Sequence, residues 1–199
     1  MSRVGNWQAP AQSRGASPAR PTDAVLVAAA RGGERWAQEA LFRRHAGLAL
    51  GLAYRLLGND ADVEDVVQEA QFIVFTRLDR LKEPQAFASW LAGTVVRRVQ
   101  QLLRHGRVLV RLGLRAPRPV DPDLAIAAST PPEVSADLQR IYAVVDTLST
   151  QARMVLLLRK VDGYSLPEIA ELMACSLSTV KRRLTEAEKV LADAHKEPA

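Results

Sequence analysis

YSLPEIAELMACSLSTVKRRL, residues 164–184, reads as two short helices with a tight turn between them. Ser165 stands three residues before Glu168, the spacing of a reciprocal N-terminal cap. Pro167 is tolerated in a first helical turn, where its missing N–H would have no partner anyway. Leu166, Ile169, Ala170 and Met173 supply an apolar face. Ala174, Cys175 and Ser176 make the turn, and a second helix starts near Leu177. This layout is what a helix-turn-helix requires. On the second helix, at about 100° per residue, Val180, Leu184, Ala187 and Leu191 fall on one narrow stripe. Ser178, Arg182, Thr185 and Lys189 lie opposite, flanked by Thr179 and Lys181. Guanidinium, ammonium and hydroxyl groups in such places read base edges and phosphates in a major groove. The alternative is an ordinary solvated helix with a charged outer face. Glu186 and Glu188 argue for restraint, because a carboxylate repels phosphate. Arg182 and Glu186 also have the i,i+4 spacing of a weak intrahelical ion pair.

Outward from this stretch, composition divides the chain. Residues 1–21 are rich in Pro, Gly, Ser and Ala without apolar periodicity, which predicts a disordered tail. A second break, residues 106–132, holds Pro117, Pro119, Pro122, Pro131 and Pro132 and reads as a flexible linker. Two blocks remain, 22–105 and 133–196. Both are periodic in the helical sense, and no Val/Ile alternation suggests strands. The expectation is an all-α chain of two small helical domains, each with its own apolar faces. Gly58 is placed to end one helix, Asn59 and Asp60 to cap the next, and Pro84 to open a helix running to about Arg104.

Within the first block, DADVEDVVQEAQFIVF (60–75) puts Asp62, Asp65 and Glu69 within about 60° of one another on a helix. Val63, Val66, Val67, Ala70 and Val74 take the apolar side. Carboxylates in a first turn suit the helix dipole, which accounts for Asp62 but less readily for Glu69, two turns in. Further along, Leu91, Val95, Val99 and Leu102 form one face of a helix. Trp90, Thr94, Arg97, Gln101 and Arg104 form the other, with Arg98 beside them. From Pro84 to Val120 there is no acid, while arginine stands at 97, 98, 104, 107, 111, 115 and 118. Arginines beside a tryptophan suit a phosphate backbone and an unstacked base, with core packing the competing reading of Trp90.

These elements in this order resemble a bacterial sigma factor of the extracytoplasmic-function (ECF) type, a minimal sigma-70 built from region 2, a linker and region 4. The resemblance spans about residues 22–192. EDVVQE, residues 64–69, and residues 164–184 are its most specific parts. It implies binding to core RNA polymerase through the β′ clamp helices and the β flap, with Asp62, Asp65, Gln68 and Glu69 on the clamp. It implies reading and melting of the promoter −10 element by Lys82, Gln85, Trp90, Arg97, Arg98, Gln101 and Arg104. It assigns the −35 element to Ser178, Thr179, Lys181, Arg182, Arg183, Thr185 and Lys189. Promoter DNA is thus an implied partner, and an anti-sigma factor a further one. Gln71 departs from the family's usual aromatic, and Glu186 and Glu188 from its frequent arginines.

Other classes fare less well. The three histidines lie far apart and Cys175 is the single cysteine, so neither a disulfide framework nor a ligand spacing for a metal is visible. No catalytic constellation or cofactor motif is present, and the reading is of a non-enzyme. Without a long apolar run or a secretory leader, a cytoplasmic location without membrane insertion is expected. The net charge of +5 is moderate, so its distribution carries the argument. Two rivals remain: an ordinary helix-turn-helix regulator with a helical sensor block, and a degenerate sigma-like protein that binds partners without reading promoters. Glu186 and Glu188 favour the second rival.

Overall fold

The computed structural model describes residues 20–58, 61–112, 145 and 147–196. Among these are seven α-helices and no strand: α1 (Asp23–Arg31), α2 (Arg35–Leu57), α3 (Val63–Thr76), α4 (Phe87–Arg111), α5 (Thr150–Lys160), α6 (Leu166–Leu172) and α7 (Leu177–Lys196). Two single 3-10 turns, Leu78–Arg80 and Pro84–Ala86, connect α3 to α4. The expected tail up to residue 19, the linker beyond residue 112, most of the stretch 133–148 and the Asn59–Asp60 cap pair lie outside the described residues.

Local chemistry sets the boundaries. The Thr22 side chain accepts the Val25 N–H at the start of α1. Gly58 ends α2 in the left-handed region (φ 70°), as its position predicted, and its N–H reaches the Tyr54 carbonyl. Ser165 and Glu168 form the reciprocal cap of α6. The Ser165 hydroxyl, and then its amide, hold the Glu168 carboxyl below its ordinary pKa. A carboxyl lowered in the folded state stabilises above its unfolded value, and that contribution is lost as pH falls through the lowered one. The helix-turn-helix turn passes through Ala174 at φ 49°, a left-handed conformation that alanine adopts at some steric cost.

Helix α4 runs seven residues past its expected end at Arg104. Gly106 is only mildly unfavourable inside a helix, and the following Arg107–Arg111 lacks any proline to stop it. The first proline of the break is Pro117. The helix is also more enclosed than its pattern implied. Leu91, Val95 and Val99 are buried as expected, but so are Ala92, Val96, Thr94 and Gln100 on its other sides. Helices α2 and α3 cover one side of α4 and α6 covers another. Thr94, assigned to the outer face, is therefore inside, its hydroxyl donating to the Trp90 carbonyl at 2.9 Å.

The sequence suggested a separate core for each block. In the structure one buried cluster runs through both: Leu41, Leu52, Val74, Phe87 and Val95 belong to it, and so do Met154, Leu158, Ile169, Leu172 and Val180. An Arg55–Asp162 ion pair joins α2 to the segment before α6. A smaller cluster, Val145, Leu148, Ala152, Leu156 and Ala187, seats α5 on α7.

The seating of α5 on α7 is where the two glutamates go. The Ser149 hydroxyl caps α5 by accepting the Ala152 N–H at 3.3 Å, and donates to Glu186 at 3.2 Å. Glu188 pairs with Lys160 at the other end of α5. The expected Arg182–Glu186 pair does not form, because Glu186 is drawn to the positive N-terminal end of α5. Ser149→Ala removes both bonds and is expected to cost about 1–2 kcal/mol, read as a lower urea midpoint at unchanged slope.

Candidate nucleic-acid interface

Three surfaces carry the candidate residues. The first is the outer face of α7. Ser178, Lys181, Arg182, Thr185 and Lys189 are all exposed there, and Thr179 is half-buried. The Ser176 hydroxyl accepts the Thr179 N–H at 3.2 Å and meets the Ser178 and Thr179 hydroxyls at 2.9 and 2.8 Å. These hydroxyls gather at the N-terminus of α7, where helix geometry favours an anion. Thr185 donates to the Lys181 carbonyl at 3.1 Å, leaving its oxygen to accept. Arg183 departs from the group. It is half-buried on the flank and points back to the Cys175 sulfur at 3.8 Å. Its position, nearer the apolar stripe than Arg182 is, turns it toward the helix-turn-helix turn.

The second surface is a cleft between α3 and α4 of about 450 Å³, lined by Ile73, Arg77, Arg80, Trp90, Thr94, Arg97, Arg98 and Gln101. It brings Trp90, Arg97, Arg98 and Gln101 together as the sequence suggested. Arg97 folds back over Gly93, where a Cβ would come within 2.9 Å of its Nη1, and donates to Thr94 at 3.2 Å. Desolvation in the cleft pulls its guanidinium down from the ordinary value, though a guanidinium remains charged in proteins. Arg98 donates to Gln101 at 2.7 Å. Lys82 lines an adjoining cleft that shares Arg80, Trp90 and Arg97. Gln85 and Arg104 are exposed but line neither cleft, and the Gln85 amide donates to Glu83 at 3.0 Å.

Sequence reasoning missed Arg77 and Arg80. They sit in TRLDRL (76–81), where Asp79 between them hid the basic character and no helical period ordered them. It also missed Arg31, at the end of α1. Arg31 donates to the Leu78 carbonyl through Nε at 3.3 Å and Nη2 at 3.2 Å, and its Nη2 also bonds the Leu81 carbonyl. Arg31 thereby holds the turn that bears Arg80.

The third surface is the polar side of α3. Asp65 and Gln68 are exposed, and Asp62 is a half-buried residue at the N-cap. Glu69 does not stand free: it pairs with Arg98 of α4, which ties the acidic surface to the basic cleft. One turn beyond Gln68 and Glu69, Phe72 is 72% exposed.

Comparison with known proteins identifies both helical blocks. Residues 41–108 match the model of Sigma-70 region 2, and residues 138–191 that of Sigma-70, region 4. The ECF RNA polymerase sigma-E factor of Escherichia coli K12 is 30% identical over 184 residues, covering 85% of this chain and 92% of the relative. The ECF RNA polymerase sigma factor SigE of Mycolicibacterium smegmatis is 31% identical over 161 residues, 77% of this chain and 59% of that one. Among solved structures, CnrH in complex with the cytosolic domain of CnrY superposes with a TM-score of 0.57 at 27% identity, covering 86% of this chain and 95% of CnrH. RpoE of Bartonella quintana, in complex with the anti-sigma factor NepR, gives 0.60 at 19% identity, over 81% and 98%, and supports the fold. With both regions matched in order and a relative 30% identical across 92% of its length, the chain belongs to the ECF sigma factors of the sigma-70 family, the RNA polymerase subunits that direct transcription initiation.

Proposed function

We propose that the α3 surface of Asp62, Asp65, Gln68, Glu69 and Phe72 docks on the β′ clamp helices of core polymerase, that the α3–α4 cleft takes the −10 element, and that the outer face of α7 takes the −35 element. The observation that carries this is the separation of charge. The exposed carboxylates of α3 adjoin a cleft containing four arginines and a tryptophan, while α7 offers an exposed row of cations and hydroxyls away from its core stripe. Stacking on Trp90 with arginines around it suits an unpaired base and its phosphates. The polymerase supplies the catalysis, so this chain works as a cytoplasmic DNA-reading subunit. The region 4 block would also rest on the β flap. An anti-sigma factor is a fitting further partner, because two structural relatives are known in complex with CnrY and with NepR. Transcription in vitro with core polymerase on a promoter library tests the whole reading, and enrichment of no promoter would refute it.

Within α7, Glu186 and Glu188 serve the seating of α5, which weakens the case for a degenerate factor. Lys189, near the far end of the exposed face, fits a phosphate contact. Lys189→Ala is expected to weaken holoenzyme binding to all duplexes about equally and to lower the salt slope by about one unit, measured by fluorescence anisotropy at several salt concentrations.

A further inference from the structure

The four arginines that line the α3–α4 cleft are not equally occupied. Arg97 donates to Thr94, and Arg98 to Gln101 and Glu69. The side chains of Arg77 and Arg80 form no hydrogen bond or ion pair with the described residues, so only the backbone beneath them sets their aim. That backbone is the 3-10 turn Leu78–Arg80, in which residues three apart eclipse one another. The period sets Arg77 and Arg80 on one side of the turn and the buried Leu78 and Leu81 on another. Two bonds within the turn, from the Arg80 N–H to the Arg77 carbonyl at 2.9 Å and from the Leu81 N–H to the Leu78 carbonyl at 3.1 Å, give it little rigidity of its own. Arg31 adds a fastening from outside. Its guanidinium bonds the Leu78 carbonyl through Nε and Nη2 and the Leu81 carbonyl through Nη2, bridging two carbonyls one turn apart. A planar fork held at both carbonyls resists rotation of the turn about its axis, which a lysine ammonium, a single point of charge, does not. The fork stands on a firm base, because α1 buries Leu26, Val27 and Ala30.

We propose that Arg31 is a positioning residue for the −10 element: by fixing the rotation of the Leu78–Arg80 turn it aims Arg77 and Arg80 at backbone phosphates of the unpaired strand beside Trp90. Arg31 acts through these two side chains and meets no DNA itself, its fork being taken by the two carbonyls. Arg77 and Arg80 have no partner of their own to surrender, so a phosphate gains their charge without breaking a contact of the fold. The proposal rests on the reading of the α3–α4 cleft as the −10 site.

The test uses the full chain assembled with core polymerase and a fluorescein-labelled single-stranded DNA of randomised sequence, read by anisotropy against core polymerase alone at several salt concentrations. Phosphate contacts carry no sequence information, so a randomised strand reports them. Arg80→Ala should weaken binding about fivefold and lower the salt slope by about 0.7 unit, the value of one phosphate contact on a single strand. Arg31→Lys keeps the charge and removes the fork. It should weaken binding comparably and lower the slope too, which a charge-conserving change does only when another cation leaves its phosphate. The chain carrying both substitutions should bind within about twofold of the weaker single variant, whereas independent effects would multiply to about twenty-fivefold. If circular dichroism shows Arg31→Lys to be unfolded, Arg31→Met, which keeps the apolar stem, enters the same cycle with Arg80→Ala. Unchanged affinity or slope in Arg31→Lys, or effects that multiply, overturn the positioning role while a weakened Arg80→Ala keeps the cleft as the DNA site. Unchanged binding by Arg80→Ala shows instead that the turn does not face DNA, and the proposal falls with that reading.

Discussion

Asp65→Arg is expected to weaken association with core polymerase about a hundredfold while helicity and the unfolding midpoint stay close to wild-type values. Asp65 is exposed on α3, one turn before Gln68 and Glu69, and its side chain forms no hydrogen bond or ion pair with the described residues. Replacing it therefore breaks no side-chain contact of the fold and forfeits only the favourable place of a carboxylate in the first turn of α3, about 0.3–1 kcal/mol. At a docking surface, a reversed charge loses one attraction and adds a repulsion, a penalty of about 3 kcal/mol or roughly a hundredfold in affinity. Glu69 is a poorer probe, because Glu69→Arg would break the bond to Arg98 and set two guanidiniums side by side. Phe72→Ala, at a side chain already in solvent, should leave stability unchanged and weaken core binding. Co-purification and anisotropy with labelled protein distinguish the outcomes. An Asp65→Arg variant that binds core normally removes α3 from the interface.

Arg182→Ala should cost about 1–3 kcal/mol in −35 recognition and relax specificity at one base position. Arg182 is exposed opposite Val180, Leu184, Ala187 and Leu191, and no acid of the described chain engages it. The loss of the expected pair with Glu186 leaves its guanidinium free for a bidentate contact. Arg183→Ala makes the comparison: its side chain turns to Cys175, so a weaker effect on DNA is expected from it. The two blocks share buried residues, so holoenzyme rather than a C-terminal fragment is the right material, measured on a promoter and its single-base variants. Equal affinity of the Arg182→Ala holoenzyme for all of them, unchanged from wild type, would mean that the basic run is only solvated.

Much of this was legible in the sequence for definable reasons. The α6 cap and the α7 stripe rest on local spacing, which is why Ser165, Glu168 and Val180 fall where expected. The α4 face of Leu91, Val95 and Val99 is likewise a matter of period. What escaped depends on tertiary contact. Thr94 is buried because α6 and α3 enclose α4 from sides that a single helical wheel cannot reveal. Glu186 leaves Arg182 for Ser149, 37 residues earlier in the chain. Arg77 and Arg80 become part of a cleft only when a turn without periodicity is folded back.

The bonds from Arg31 to the Leu78 and Leu81 carbonyls bear on how much chain the sigma factor needs. The recognisable region 2 signature begins at residue 41, ten residues after this arginine. Helix α1 is moored in turn by Asp23, which meets Arg44 at 2.6 Å and His45 at 2.8 Å. A polypeptide trimmed to the signature would keep every residue of the cleft and lose the brace that sets the slope of one wall. The structural support of the cleft therefore extends upstream of the segment by which the family is recognised, and Asp23 and Arg31 belong to it.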